Sequence, residues 1–510
     1  MHPDRIVRQT PRQVSHAGRL VFLLSLCLYV TTAGGSMATD IMTYEVTKSI
    51  VEHGSVAMSY DVFGMEAHRG VDGRYYAPYG IGHALYSAPF YLAGATAERL
   101  TGLDVGKADA VRKASLVVGS AVAAAAIVWL AFWFTWRLFG AIRLAILSAL
   151  SLGFATMLWP YSKFGFSAPL ATLCVLAGVY GVWVGARLAR PGMLVAGGVG
   201  IGWALLVRHE LVLIAVPVTL WLALEYRPKW RQFFQATALV AAPIVVAVLL
   251  TAYYNAVRFG NPIDTGYLRD ETAGIGSVWL GAWGFLVSPG GSVFLYSPLL
   301  ILGAVALAEF SRVDRRTAIL FGGVMLTLFC FYASLFHWEG ERSYGPRYLL
   351  PMLPFLCLPL GVWFARPGGE FRRRAAIAGL ICSVAVQIPG VLLDFSKVGH
   401  TPELGYRSIE ARRWEWGSAA LVLNTQAAMR AVPLNARYLS GAEPRPEVKA
   451  AEGLARDFSS QFAFSLDLWW MYLFHLRIIS APVALVLAGL PLGLAAACAH
   501  KLRRLSIADG

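Results

Sequence analysis

MLVAGGVGIGWALLVRHELVLIAVPVTLWLALEY, residues 193–226, is an apolar run interrupted near its middle by Arg208, His209 and Glu210. It reads either as one long helix or as a tight pair. Its flanks decide between the two, because Arg187 and Arg190 precede it and Arg227, Lys229 and Arg231 follow it. Short loops rich in Lys and Arg stay on the cytoplasmic side of a membrane, so two basic flanks demand an even number of crossings. The stretch is expected to be a hairpin of two short spans, 193–207 and 210–225, with Arg208, His209 and Glu210 at its outer tip.

The same logic extends along the chain. Of 510 residues, 57% are hydrophobic and 15% charged, with a mean hydropathy of +0.56, which excludes an ordinary soluble enzyme. Apolar stretches long enough to cross a hydrocarbon core of about 30 Å recur from end to end. Spans are expected at 18–34, 114–136, 142–160, 168–186, 193–207, 210–225, 233–254, 297–311, 317–337, 348–365, 375–393 and 476–499. The net charge of +14 would suggest nucleic acid in a soluble chain. Here the basic residues fall in connections on one side (Arg137 and Arg143, Arg312 to Arg316, Arg366 to Arg374, Lys501 to Arg504), so the charge is topological and no nucleic-acid partner is expected. Both termini are then cytoplasmic. Arg5, Arg8, Arg12 and Arg19 before the run Leu20–Ala33 imitate a secretory signal, but no small-residue cleavage site follows, so this is expected to be an uncleaved first span. All six cysteines fall within expected spans and no disulfide is expected.

The expected fold is an all-α polytopic membrane protein of about twelve helices, with residues 1–393 and 476–510 in the membrane domain. Its long connections, 35–113, 255–296, 338–347 and 394–475, lie on the exported side. In the first of them Ile41, Tyr44, Ile50 and Val51 share a helical face that Gly54 can end, and such a helix suits the membrane interface. The stretch YGIGHALYSAPFYLAGATAERL, 79–100, is expected to do the same. Segment 394–475 mixes Trp414, Trp416, Trp469 and Trp470 with several arginines and reads as a small lid, an acceptor platform or a packing cover.

Two classes of function build many helices. A transporter or flippase needs ionisable groups near the bilayer midplane. This sequence has few there, and Gln387 beside Pro389 is the nearest approach. Its ionisable residues sit instead at outer span ends and in outer loops, among them Asp40, Glu45, Arg74, Arg208, Glu210, Arg258, Glu341, Arg342 and Arg347. Chemistry at the exported face has no ATP to draw on, and a lipid-linked phosphate donor fits.

Four stretches carry a family resemblance: TDIMTYE (39–45), GRYYAPYGIGHALYSAPFYL (73–92), YYNAVRFGNPIDTGY (253–267) with FLVSPGGSVFLYSPLL (285–300), and HWEGERSYGPRYLLPMLPF (337–355). In these the chain resembles the GT-C class of integral-membrane glycosyltransferases, in particular bacterial phospholipid-carrier-dependent enzymes of the protein O-mannosyltransferase and aminoarabinose transferase kind. The resemblance implies a sugar moved, with inversion, from a polyprenyl-phosphate donor to a glycan, lipid or protein acceptor on the extracytoplasmic face of the plasma membrane. It implies no cofactor beyond that donor.

In that class an acidic residue just past the first span is the general base, and Asp40 matches it. A hydroxyl attacking an anomeric carbon must lose its proton, and a carboxylate within reach can take it. Asp40 could also cap the helix that follows, and one residue can do both. Glu45 and Tyr44 are candidates for orienting the base or holding acceptor. The departing lipid phosphate needs fixed cations. Arg347, in SYGPRY beside Tyr344 and Tyr348, is the first choice, since guanidinium grips phosphate bidentately. Arg342, Arg208 and Arg74 are weaker candidates. Relatives carry a Lys in the first-loop segment where this chain reads RYYAPYG; Arg74 could replace its charge, or Tyr76 and Tyr79 could bind by their hydroxyls alone. Tyr76, Tyr79, Arg258 and Tyr267 are candidates for lining the donor cavity. The first loop lacks an acidic DxD-like pair, and His53, His68 and His83 show no ligand spacing, so no metal is expected.

Overall fold

The computed structural model describes residues 10–34, 41–58, 67–102, 105–269, 274–340, 343–365, 369–398, 408–445 and 465–507. Asp40, Glu341 and Arg342 lie outside the described residues, as does much of 394–475. Within them the chain is helical apart from short irregular connections and a two-residue ladder pairing His68–Arg69 with Tyr75–Tyr76. Among the described residues eight helical segments are long and apolar enough to cross a membrane: Pro11–Thr31, Val111–Phe139, Ser167–Arg187, Trp230–Phe259, Arg315–Ala333, Arg347–Ala365, Glu370–Leu392 and Ala481–Ile507. Shorter apolar helices run over Ile142–Phe154, Pro191–Val207, Val278–Val287 and Leu299–Phe310. The molecule is an all-α multi-pass membrane protein.

The hairpin read from residues 193–226 can be tested by which backbones meet. Gly181 lies against Gly197 and Gly178 against Gly200, so Ser167–Arg187 and Pro191–Val207 run antiparallel. Gly198 lies against Val240 and Gly202 against Ile244, so Pro191–Val207 and Trp230–Phe259 run parallel. A segment of opposite direction must separate two parallel neighbours, and Ala215–Glu225, entered through the 3-10 turn His209–Ile214, is that segment. A Cβ at Gly181 would stand 2.7 Å from the Gly197 backbone. Only glycine permits this approach, the small-residue contact by which helices associate in lipid.

Ion pairs mark one end of the bundle. Arg187 bridges Glu225 at 2.9 Å and Asp314 at 3.1 Å, Arg316 reaches Glu225 at 3.6 Å, and Arg372 pairs with Glu309. Helix ends 187, 225, 310 and the starts at 315 and 370 therefore share one side. Arg208, Arg258 and Arg347 lie at the opposite ends of their helices.

The structure departs from the hydropathy expectation in three places. The first span begins earlier, at Pro11, because Thr10 and Gln13 form a capping box and Pro11 takes the first helical position. The span expected at 348–365 is broken into a 3-10 turn Arg347–Met352 and two short helices, since Pro351, Pro354 and Pro359 remove backbone donors. Val278–Val287 is a ten-residue helix that was not expected. It is about 15 Å long, too short to cross. It lays Gly281 on Ala333 and Gly284 on the Trp338 ring while Trp279 and Trp283 face outward. The first-loop helix forms over Ile41–His53 and ends at Gly54, whose φ of +61° suits a residue without a side chain. A second helix covers Gly82–Thr101.

The outer segments are held to the bundle by a buried ion pair. Lys163 Nζ lies 2.8 Å from Asp467 Oδ2, with side chains 0% and 1% exposed, and also donates to the carbonyls of Val391 at 2.7 Å and Leu393 at 3.0 Å. Around it the Gly34 N–H donates to Lys163 O, Asp467 N–H to Leu392 O, and Trp469 N–H to Ala33 O. The indoles of Trp469 and Trp470 donate to Val30 and Thr31 carbonyls. Removing one partner strands the other charge without water, at a cost of roughly 3–5 kcal/mol. Lys163→Met and Asp467→Asn are each expected to lower the thermal midpoint in detergent well below wild type, and Lys163→Met/Asp467→Leu to recover part of the loss. Single variants melting with wild type would show that the pair holds nothing.

Candidate functional site

The motif around Arg347 is shaped by its neighbours before it can bind anything. Gly345 has φ +75°, and a Cβ there would meet Tyr296 Cγ at 2.5 Å and Met157 Sδ at 2.8 Å, so this position admits glycine alone. Tyr344 is fully buried; its N–H donates to Tyr161 Oη at 3.0 Å and its hydroxyl donates to the Val386 carbonyl. Tyr344 is thus an anchor whose polar atoms are engaged by protein. The chain then turns at Pro346 into the 3-10 stretch, which delivers Arg347.

The Arg347 guanidinium stands 5.2 Å from the ring centres of both Phe166 and Tyr348, and its Nη2 is 3.5 Å from Tyr348 Oη. Arg208 approaches the same ring at 5.6 Å and donates from Nε to Ser167 Oγ at 3.0 Å. Tyr348 is stacked on Tyr332 at 5.2 Å and 10°, and Tyr332 donates its hydroxyl to Glu210 Oε1 at 2.8 Å. The two arginines, 139 positions apart in sequence, therefore converge on one aromatic ring. Arg347 Nε and Arg208 Nη1 are buried and have no hydrogen-bond partner among the described residues. Buried donors of this kind are rare in folded proteins and ask for an acceptor.

Two more aromatic residues border this group. Tyr267 lies within electrostatic reach of Arg208, Glu210, Arg347 and Tyr348, with Tyr79 at 5.8 Å and the edge of His209 at 6.3 Å between ring centres. Of the residues expected from sequence, Arg347, Arg208, Tyr79 and Tyr267 are thus brought together. Tyr332 and Ser167 join them without any sequence signal, since each stands alone in an apolar run.

The other expected residues go elsewhere. Arg258 is fully buried among protein partners: it donates to Ala77 O and to Asn255 Oδ1 at 2.7 Å, with the Tyr254 ring 3.7 Å away. It ties the helix Trp230–Phe259 to the first loop. Tyr76 donates its hydroxyl to Asp72 at 2.8 Å and meets Phe259 edge-on. The Tyr76 hydroxyl, with the backbone and side-chain N–H groups of Arg74, draws the Asp72 carboxyl down to about 2. Tyr44 is buried against Tyr91 at 5.8 Å, with Lys113 Nζ 5.2 Å from its ring. Glu45 and Arg74 meet in a separate cavity of about 590 Å³ in the first loop, none of whose lining residues belongs to the arginine group. Among the described residues no three His, Cys, Asp or Glu side chains gather as a metal site.

No protein-family model and no curated protein matches the sequence. Among solved structures the fold is similar to the aminoarabinose transferase ArnT from Cupriavidus metallidurans bound to undecaprenyl phosphate, at 16% identity and a TM-score of 0.48, over 88% of this chain and 84% of that one. The apo state of the same protein gives 15% and 0.46 over 89% and 84%. The Archaeoglobus fulgidus oligosaccharyltransferase, tethered by a disulfide to an acceptor peptide containing the NVT sequon, gives 10% and 0.47 over 86% of this chain and 60% of that one. The roles of individual residues rest on this chain's own geometry.

His209 supplies a pH test of the site. Burial, opposed by Glu210 and reinforced by Arg258, holds its imidazole below the usual value, and its Nε2 has no partner among the described residues. The unfolded chain therefore binds a proton in a range where the folded chain does not. Its stability is complete above the ordinary histidine value near 6.5 and falls as pH drops through the lowered one. The thermal midpoint of wild type is expected to fall more steeply below pH 6.5 than that of His209→Asn; parallel curves would contradict this.

Proposed function

We propose that this chain is a GT-C-type membrane glycosyltransferase that takes a sugar from a polyprenyl-phosphate donor. The observation that carries the proposal is the convergence of Arg208 and Arg347 on Tyr348 with buried N–H groups that have no hydrogen-bond partner among the described residues. Guanidinium groups match phosphate oxygens in number and geometry, and a water-poor setting strengthens the attraction. Glu210 is directed to Tyr332, which tempers the local positive charge and leaves Arg208 Nη1 and Arg347 Nε to the ligand. Phe166 and Tyr348 give a flat apolar border suited to the first isoprene unit and the sugar face.

In this reading Asp40, which immediately precedes the helix Ile41–His53, removes the acceptor proton. The acceptor oxygen forms its bond to the anomeric carbon from the side opposite the phosphate, and the bond from that carbon to the phosphate oxygen breaks. The electron pair leaves with the polyprenyl phosphate. Charge grows on the phosphate as it departs, so Arg208 and Arg347 bind the transition state more tightly than the donor. The base and the cations belong at the same membrane face because the sugar end of the donor is confined there. Arg342 is kept as a further candidate for the phosphate, and the acceptor is a glycan, lipid or protein hydroxyl.

A transporter of a lipid-linked substrate is the alternative. Its best midplane candidate, Gln387, is fully buried and donates to Tyr296 O at 2.7 Å and Ser383 O at 3.0 Å. Its nitrogen fastens two helices, and a single neutral amide whose Oε1 alone has no partner among the described residues falls short of the ionisable pathway a transporter needs.

The test is transfer from a labelled polyprenyl-phosphate sugar in membranes holding the full chain. Asp40→Asn is expected to lower kcat on the order of 10²- to 10⁴-fold, the usual worth of a general base. Arg347→Met should lower kcat/KM and weaken retention of undecaprenyl phosphate together. Full transfer by Asp40→Asn removes that residue as the base. Undiminished retention by Arg347→Met removes the phosphate site.

A further inference from the structure

The first-loop cavity is built by one face of the helix Ile41–His53. Glu45, Lys48, Ser49 and Glu52 follow each other at helical spacing and all line it, with His53 at its end and Arg74 across from them. The other faces of the helix are committed to packing, Met42 and Val46 against Met58, Ala77 and Ala84, and Tyr44 against Tyr91 and Val117. A helix with two packed faces and one polar face turned into a cavity of about 590 Å³ is arranged to meet a ligand, and the volume falls within the range of small-molecule sites.

The state of the charges says which ligand. Glu52 accepts the Tyr91 hydroxyl at 2.5 Å and Arg112 Nη1 at 3.3 Å. Glu45 is buried and has a polar partner of its own. Arg74 holds Asp72 at 2.6 Å and donates to Ser55 Oγ at 3.3 Å. Lys48, half-buried in the middle of the lining face, has no ion pair or hydrogen bond among the described residues. Both carboxylates are thus engaged, and the charge left over on the wall is a cation. Beside it stand Ser49 and the remaining lone pairs of Glu45, which accept hydrogen bonds from hydroxyl groups.

We propose that this cavity binds a sugar bearing an anionic group, a carboxylate or a phosphate, with Lys48 holding the anion and Glu45 and Ser49 holding hydroxyls. If the chain is a glycosyltransferase, this is the head group of its acceptor; that last step alone rests on the proposed function. Arg74 then serves the acceptor side, and the donor phosphate belongs to Arg208 and Arg347. The cavity's helix starts at the residue after Asp40.

The test uses the full chain in phosphatidylcholine nanodiscs titrated with glucose 1-phosphate, glucuronate and glucose, with undecaprenyl phosphate binding measured on the same samples. Glucose 1-phosphate and glucuronate are expected to bind and glucose to bind about tenfold more weakly or worse, the usual loss of a charged hydrogen bond. Lys48→Met should weaken both anionic sugars by a similar factor, Lys48→Arg should restore most of it, and Arg347→Met should leave it alone. Undecaprenyl phosphate binding by Lys48→Met shows that this variant is folded. Equal binding of glucose, anion binding that survives Lys48→Met, or its loss in Arg347→Met would each overturn the proposal. Anionic sugar binding without any undecaprenyl phosphate binding would end the donor reading and leave this cavity standing; the reverse result would end the cavity and leave the donor. Nanodiscs containing phosphatidylinositol separate the two sources of such a head group: competition with glucose 1-phosphate assigns it to a lipid, and no competition to a soluble or glycan-borne sugar.

Discussion

A lysine ammonium and an aspartate carboxylate shut away from water impose a strict condition on everything around them, since each is tolerable only while the other and its hydrogen-bond partners stay in place. Lys163 and Asp467 meet that condition by drawing four distant segments to one point: the end of the first span at Gly34, the turn before Ser167, the end of the helix Glu370–Leu392, and the approach to the last span at Trp469. Phe164, Phe166 and Phe395 pack beside this point, and Phe166 is also a wall of the arginine group. The geometry of Arg347 is thereby tied to a pair of charges it does not touch.

Two polar regions emerge on that face, and they differ in kind. Around Tyr348 the cations have aromatic neighbours and buried donors without a partner among the described residues, an environment suited to the compact anion proposed above. In the first loop, acids, hydroxyls and cations alternate around a cavity of about 590 Å³, an environment suited to the polyhydroxylated head group proposed above. A layer of Met42, Val46, Met58, Ala77 and Ala84 backs the helix that lines the second region. On the proposed reading, their separation would keep a charged acceptor from competing for the arginines.

Much of this was legible in sequence where the signal was physical and local. The basic flanks of residues 193–226 implied a hairpin, and the backbone contacts of Gly181 and Gly198 bear it out. The composition implied helices of membrane length, and Ile41–His53 begins and ends where its apolar spacing and Gly54 required. What was illegible depended on tertiary meeting. Tyr332 and Ser167 are unremarkable within their spans, and nothing near them in sequence points to Arg208 or Tyr348. Arg74, a weaker phosphate candidate, and Arg258, a candidate for the cavity wall, carry no local mark of their partners in sequence; one faces a different cavity and the other is occupied by Ala77 O and Asn255. The helix Val278–Val287 escaped notice because ten apolar residues fit a loop, a core helix or a fragment of a span equally well.

The glycine contacts between Ser167–Arg187 and Pro191–Val207 carry a thermodynamic consequence. Backbones this close cannot slide or rotate independently, so Ser167 at one helix start and Arg208 at the neighbouring helix end are fixed with respect to each other by main chain. A free arginine side chain gives up close to 2 kcal/mol of rotamer freedom when it is immobilised. Here part of that loss falls within folding, so it is not subtracted from the affinity for an anion. If Arg208 holds the donor phosphate as proposed, its capture is accordingly preorganised. On that reading, selection on the seam of glycines is also selection on how tightly the cation at the end of the same hairpin can hold its ligand.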